Sequence, residues 1–354
     1  MKKMQNYIVK DNRIFVGLED SKRTWKLCVR CDGMIVNEVS MPTEYENLQN
    51  YFMNRYPGCT VKVVYEAGFQ GFWLHDCLVE DGFECIVTPP NKVVQEKSNR
   101  VKTDKIDAQR LAKNLEQNDC KSCHVPDREL REDRQISRTL DQVQKDIVRT
   151  KNRIRKYLDF HGLNGGMPPG KWGPGDYERA RSMELDNVLQ ISFTAYFKLL
   201  DEQTKLRRYL LKELQLLCKK ERYRESVTIK KKCPGVGWLS AIRFTLEWGD
   251  MSRFPTRKRF ASFTGLTSSE FSTGPTVHRG RIVKQSSERV RSWLIQCAWR
   301  AIKVDPVLLT KYRTVMKNTG NNKKKAIVAV ARKLALRMRA MELNKEDYSI
   351  GVIE

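Results

Sequence analysis

Arg13-Ile14-Phe15-Val16-Gly17-Leu18-Glu19 is an apolar, β-rich run that stops on an acid. Its composition predicts a buried strand. Just beyond it, Trp25 to Arg30 and Met34 to Val39 flank Cys31-Asp32-Gly33, two β-rich runs around Asp-Gly, which predicts a hairpin. Val61 to Tyr65 is another β-branched run, and it too is closed by an acid, Glu66. Gly71 to Asp81 reads as a helix and Cys85 to Thr88 as a short strand ended by Pro89-Pro90. Thr103 to Leu115 has helical spacing through Ile106, Leu111 and Leu115. Strands mixed with helices in this order predict an α/β domain over residues 8–125.

The middle has a different period. Ile136, Leu140, Val143, Ile147, Ile154 and Tyr157 follow heptad spacing, so residues 126–225 are expected to be helical. A Gly/Pro-rich break at 163–176 separates this helix from a second, from about Asp186 to Glu221. That second helix carries Leu206, Leu210, Leu214 and Leu217 on one stripe. A helical hairpin, a dimerising coiled coil and an ordinary two-helix core element all fit this pattern. Residues 226–354 read as mainly helical, over Ser240 to Trp248, Thr256 to Thr264, Ser287 to Val304, Pro306 to Met316 and a last helix to Met341. A Gly/Ser/Thr-rich loop is expected over Gly265 to Gly280.

Bulk properties narrow the function. The chain has 354 residues, 66 Lys+Arg against 42 Asp+Glu, and a formal charge of +24. Its 40% apolar content fills real cores and excludes wholesale disorder. No run reaches the ~18–20 apolar residues of a membrane span. The polar stretch Met1 to Asp11 has no signal-like apolar segment, so a cytoplasmic protein is expected. Ten cysteines in a chain this long fit reduced thiols. From Ser226 to Glu354 there are 26 Lys+Arg against 9 Asp+Glu, an imbalance that points to a polyanion. Within that third, Pro234-Gly235-Val236-Gly237 between two helices resembles a helix-hairpin-helix turn, whose amides at Gly235 and Gly237 would face a phosphate. Arg279, Arg281 and Lys284 form a clustered phosphate candidate, and Lys323, Lys324 and Lys325 a second, which reads equally well as a polar tether.

Four acids stand apart by position. Glu19 and Glu66 each close a strand, while Asp104 and Asp107 lie three apart at a helix start. Such an oxygen-rich set suits Mg²⁺ or Mn²⁺, and ions held there would serve phosphodiester chemistry. Separate solvated acids are the alternative, and Asp104 would favour the helix dipole by itself. Cys28-x-x-Cys31 with Cys120-x-x-Cys123-His124 has a zinc ligand count, but buried apolar thiols are the stronger reading.

Specific motifs resolve this further. Gly17-Leu18-Glu19-Asp20-Ser21-Lys22, Tyr65-Glu66-Ala67-Gly68 and Lys102-Thr103-Asp104-Lys105-Ile106-Asp107-Ala108 are joined, in order, by Phe263-Thr264-Gly265-Leu266-Thr267, Ser272-Thr273-Gly274 and Gly280-Arg281-Ile282. Ala298-Trp299-Arg300-Ala301 and Ala331-Arg332-Lys333-Leu334 extend the set. Together they resemble the DEDD-type insertion-sequence transposases, the bridge-RNA-guided recombinases related to Piv-type DNA invertases. The resemblance implies a RuvC-like (RNase H-type) α/β domain, a coiled-coil middle and a mainly helical transposase domain. It implies that Glu19, Glu66, Asp104 and Asp107 hold Mg²⁺, that a serine hydroxyl attacks DNA to form a phosphoserine link, and that a non-coding guide RNA pairs with target and element. It further implies a homodimer or homotetramer, in a bacterial cytoplasm and on the nucleoid when DNA is bound. Two positions depart from the pattern. Glu19 stands where the family has Asp, and Thr273 where it has the nucleophilic serine, with Ser272 just upstream. A relative that binds DNA or RNA without recombining it, and a RuvC-like metal nuclease that needs neither hydroxyl, are the alternatives.

Overall fold

The computed structural model describes residues 13–92, 103–273, 276–283 and 286–351, with backbone alone at 92, 271–273 and 276–279. The chain divides into two compact units between Pro126 and Asp127. In the first, strands β1 (Arg13–Asp20), β2 (Thr24–Cys31), β3 (Met34–Pro42), β4 (Thr60–Glu66) and β5 (Glu84–Thr88) form one sheet in the order β3-β2-β1-β4-β5. The first three are antiparallel, and β4 and β5 add parallel to β1. The β2–β3 turn needs left-handed backbone at both Asp32 (φ 49°) and Gly33 (φ 77°), as two-residue hairpins do.

The sheet is covered on both faces. On one, Ile14, Val16, Leu18, Val63 and Tyr65 pack with Leu48 and Phe52 of α1 (Tyr45–Arg55) and Leu74 and Leu78 of α2 (Trp73–Glu80). On the other lies α3 (Asp104–Glu116), whose Ala108 and Ala112 meet Cys28 and whose Leu111 and Leu115 meet Val64. The approach is close: a Cβ on Gly17 would fall 2.2 Å from the Ala108 carbonyl oxygen and 2.4 Å from the Ala112 nitrogen. Helix α3 is tied down at both ends. Lys105 pairs with Glu38 at 2.7 Å and Arg30 with Glu116 at 2.7 Å.

The second unit starts with two 33-residue helices, α4 (Arg128–Phe160) and α6 (Asn187–Lys219). They run antiparallel, because Ile154 and Leu158 meet Phe193 and Phe197 at one end while Leu130, Leu140 and Val143 share a core with Leu210 and Leu214 at the other. The heptad seam is thus spent inside the chain, as a helical hairpin. Leu206 of the expected stripe is 44% exposed instead. The Gly/Pro-rich break contains a short helix, α5 (Pro174–Arg181), entered through Gly173 and closed over the hairpin tip by Trp172 and Tyr177.

Helices α7 (Glu221–Lys231), α8 (Trp238–Trp248), α9 (Arg257–Phe263), α10 (Glu288–Ala301), α11 (Pro306–Asn318) and α12 (Lys323–Asn344) complete the unit. Their core is continuous with Leu130, Leu140 and Leu214 of the hairpin helices. Polar ties reinforce it: Arg138 makes a two-pronged contact with Glu247 at 3.0 and 3.1 Å, and Arg243 reaches Asp141 at 2.8 Å. The stretch expected as a loop over 265–280 is different. It forms a β-hairpin, β6 (Ser268–Thr273) and β7 (Thr276–Ile282), closed by the Thr273–Thr276 pair. Its Ser/Thr-rich composition hides the strands, since short polar side chains carry no period-2 apolar signal.

Candidate active site

Strand pairing brings the first two acids together. Leu18 lies beside Tyr65 in the parallel β1–β4 ladder, so Glu19 and Glu66 follow one step on at the same sheet edge. Leu18 and Tyr65 belong to the α1/α2 side. Side chains alternate along a strand, so Glu19 and Glu66 belong to the opposite face, which α3 covers. The second two acids begin that helix. Thr103 caps it by accepting from the Ile106 amide at 3.3 Å, and Asp104 and Asp107 fall in its first turn. Asp104 is exposed, whereas Asp107 is 3% exposed and is held by the Arg110 guanidinium at 2.5 Å.

The electrostatics reflect this grouping. Burial pushes the Glu19 carboxyl up to about 7, and the charges of Glu66, Asp107, Asp20 and Asp104 push in the same direction. Asp20 is raised to about 6, by burial and by Glu66, against the opposing pull of its own backbone amide. Its buried Oδ2 has no hydrogen-bond partner among the described residues. The donors are all carboxylate oxygens, the chemistry a hard divalent cation takes. Their mutual repulsion is what such a cation would relieve. They are not drawn into a closed cage: among the described residues, no group of three or more His, Cys, Asp or Glu is gathered tightly enough to hold a metal ion. Cys28 and Cys31 pack on opposite faces of the sheet, against α3 and against the α1/α2 core, so they cannot share a zinc ion.

One residue that positions this site carries no charge. Gly17 lets α3 lie directly on β1, and that contact carries the helix start to the ends of β1 and β4. Its only sequence signal is a glycine inside a strand, the usual mark of close backbone approach.

In the second unit, Ser272 and Thr273 end β6 at the tip of its hairpin. Gly274 and Lys284 lie outside the described residues, and Arg279 is described in backbone only. Arg281 is exposed on β7. Phe263-Thr264-Gly265-Leu266 launches the hairpin. The Thr264 hydroxyl donates to the Ala261 carbonyl at 2.8 Å, Gly265 turns left-handed at φ 69°, and Leu266 is buried. Arg291 of α10 fastens the hairpin base through the Gly265 and Val283 carbonyls at 3.4 and 3.3 Å.

The two turn glycines separate in role. Gly235 (φ 79°) sits so tightly on α10 that a Cβ would meet the Cys297 carbonyl oxygen at 2.3 Å, a packing reason sufficient for glycine. Gly237 precedes α8 with open space around it. Lys231, Lys232 and Arg300 line a 420 Å³ cleft around this turn. Lys323, Lys324 and Lys325 are not a tether. They form the first turn of α12, all exposed, behind an Asn322 cap whose side chain accepts from the Lys325 amide at 3.0 Å.

Comparison with known proteins bears on both units. A family model described as the transposase IS116/IS110/IS902 family matches residues 229–313, and the transposase model DEDD_Tnp_IS110 matches residues 16–162. Segments of both units are thus similar to IS110-type transposases. It is 30% identical over 236 residues to the putative transposase y4qE of Sinorhizobium fredii (strain NBRC 101917 / NGR234), a match covering 66% of this chain and 57% of that one. It is 27% identical over 240 residues to the transposase for insertion sequence element IS1533 of Leptospira borgpetersenii, covering 67% and 69%. The putative transposase y4rJ of the same S. fredii strain is 27% identical over 299 residues, covering 77% and 74%. No helix among the described residues is long and apolar enough to cross a membrane.

Proposed function

We propose that this chain cuts and rejoins DNA as the transposase of an insertion sequence, guided by a non-coding RNA. The observation that carries the reading is the grouping of Glu19, Glu66, Asp104 and Asp107 on one sheet face at the ends of β1 and β4 and the start of α3. The mixed five-stranded sheet with helices on both faces supports a RuvC-like domain. The four carboxylates would hold Mg²⁺ or Mn²⁺, which when bound supplies positive charge against the charge that builds up on a phosphodiester. The Thr273 hydroxyl attacks phosphorus and gives up its proton, and the displaced strand oxygen takes up a proton and leaves as a hydroxyl, so that a phosphothreonine link remains. A strand hydroxyl then attacks that link, giving up its proton, and Thr273 leaves reprotonated as the DNA is rejoined. Arg279, Arg281 and Lys284 on and after the hairpin, with Lys323 to Lys325, bind phosphates of the DNA or the guide RNA. The last-third excess of 26 Lys+Arg over 9 Asp+Glu supports a polyanion partner. Assembly as a dimer or tetramer comes from the family resemblance.

Threonine and glutamate at the two departing positions favour a slower enzyme over a fast one. The threonine methyl crowds in-line attack and restricts χ1, and the extra glutamate methylene shifts the ligating oxygens. The test is an assay for a covalent protein–DNA adduct, using protein purified with its RNA and the DNA ends of its element. Thr273→Ser should retain or raise adduct formation, and Thr273→Val should abolish it at nearly constant shape. Ser272→Ala should matter less. Loss with Ser272→Ala but not with Thr273→Val would make Ser272 the nucleophile. Wild-type protein that forms no adduct on cognate DNA and RNA would favour a non-recombining binder.

A further inference from the structure

The acid-bearing edge of the first unit also carries two exposed rings. Phe69 is 62% exposed, three residues past Glu66 in the loop from β4 to α2, and Trp73, the first residue of α2, is 41% exposed. That loop lies against the end of β1. A Cβ on Gly68 would lie 3.9 Å from both carboxylate oxygens of Asp20. The loop is also held in place, by the Ala67 amide donating to the Thr88 carbonyl at 2.8 Å and the Tyr65 hydroxyl donating to the Gly71 carbonyl at 3.1 Å. Trp73 is backed by a buried ring: its centroid is 6.0 Å from that of Trp25, which pairs with Asp20 across β1 and β2. The β1–β2 turn at the same edge presents exposed Lys22 and Arg23, and is clasped by the Ser21 hydroxyl, which donates to the Thr24 carbonyl at 2.5 Å.

Single exposed apolar residues are common and need no reason. What distinguishes these two is their place at the sheet edge where β1 and β4 end in Glu19, Asp20 and Glu66, with Asp20 lying against their loop. Such a cluster repels a nucleic-acid backbone, and two cations offset only part of that. Stacking on an aromatic face depends little on charge and accepts any base. We propose that Phe69 and Trp73 form a stacking platform for an unpaired base of the DNA strand presented to Glu19, Glu66, Asp104 and Asp107, with Lys22 and Arg23 on the adjoining phosphates. The assignment rests on the acids being the DNA-processing site. Bases in an intact duplex are already stacked, so the platform selects a strand that is open or has an extruded base.

The test uses the full-length chain in metal-free buffer, where strands stay uncut, and a single-stranded DNA oligonucleotide carrying one 2-aminopurine. Binding should quench the 2-aminopurine fluorescence. Phe69→Ala and Trp73→Ala should each relieve the quenching and weaken binding about tenfold, while Trp73→Phe keeps both. Lys22→Ala with Arg23→Ala should leave the quenching and lower the salt slope by about 1.4, the value for two single-strand phosphates. Phe69 is exposed, so its variant remains decisive should Trp73→Ala fail to fold. Unchanged quenching in Phe69→Ala would overturn the platform, as would an effect seen equally with duplex DNA or only with RNA. Quenching lost in Phe69→Ala while Asp104→Ala still joins DNA would keep the rings as a base-binding site and overturn the reading of the acids.

Discussion

At neutral pH a carboxyl raised to about 7, as burial and four neighbouring acids raise Glu19, still holds its proton in part of the molecules. The folded value lies above the ordinary 4.5, so the folded state binds that proton more tightly than the unfolded chain does. Its contribution is complete below about pH 4.5 and is lost as pH rises through 7. Asp20, raised from 3.8 to about 6, acts in the same direction at lower pH. The melting temperature of metal-free protein should therefore fall between pH 5 and pH 8, and Glu19→Gln should flatten most of that fall. Added Mg²⁺ should raise the wild-type melting temperature at pH 8 and do much less for Glu19→Gln. A wild-type profile that is flat from pH 5 to pH 8, or an Mg²⁺ effect untouched by the substitution, would contradict this account of Glu19.

Helix α3 and strand β1 decide whether the acids meet at all. The contact at Gly17 leaves no room for a methyl group: both clashing atoms belong to the α3 backbone, which cannot swing aside as a side chain can. Gly17→Ala should cost about 1–3 kcal/mol in urea unfolding. It should also lower DNA joining about 100-fold or more, because a helix lifted by an ångström carries Asp104 and Asp107 out of position. An alanine variant as stable and active as wild type would mean that α3 has no fixed seat on the sheet. The elements around this contact were legible for a physical reason: β1, β2 and β4 are buried apolar runs, and Asp32-Gly33 supplies a two-residue hairpin turn. Helix α1 was not legible, because Glu44 gives it no side-chain cap and its apolar face is reduced to Leu48 and Phe52 among buried positions. The β6–β7 hairpin was hidden by Ser, Thr and Gly, and α5 by a Gly-Pro-Gly start that reads as a break. The strand-end positions of Glu19 and Glu66 could be read from sequence. What seats α3 beside them could not, since a strand glycine does not say what approaches it.

Over the whole chain, negative and positive work are divided between the two units. The first gathers its acids at one sheet edge, while most of the net charge of +24 comes from the last third, inside the second unit. The second unit puts its exposed lysines on the first turn of α12 and mounts the Thr273 hairpin on α10. Within it, buried Lys230 pairs with Glu342 at 2.6 Å and buried Arg337 with Asp305 at 2.7 Å. Under the proposed function, the four carboxylates would be the working site of a metal-dependent DNA transposase. The most direct measurement is DNA joining on the element's own ends by wild type, Asp104→Ala and Asp107→Ala, with Mg²⁺ and with the metal chelated, each variant checked for its fold by circular dichroism. The account predicts joining by wild type in Mg²⁺ only, and none by either variant although both remain folded. Full joining by both variants, or by wild type without divalent metal, would contradict it.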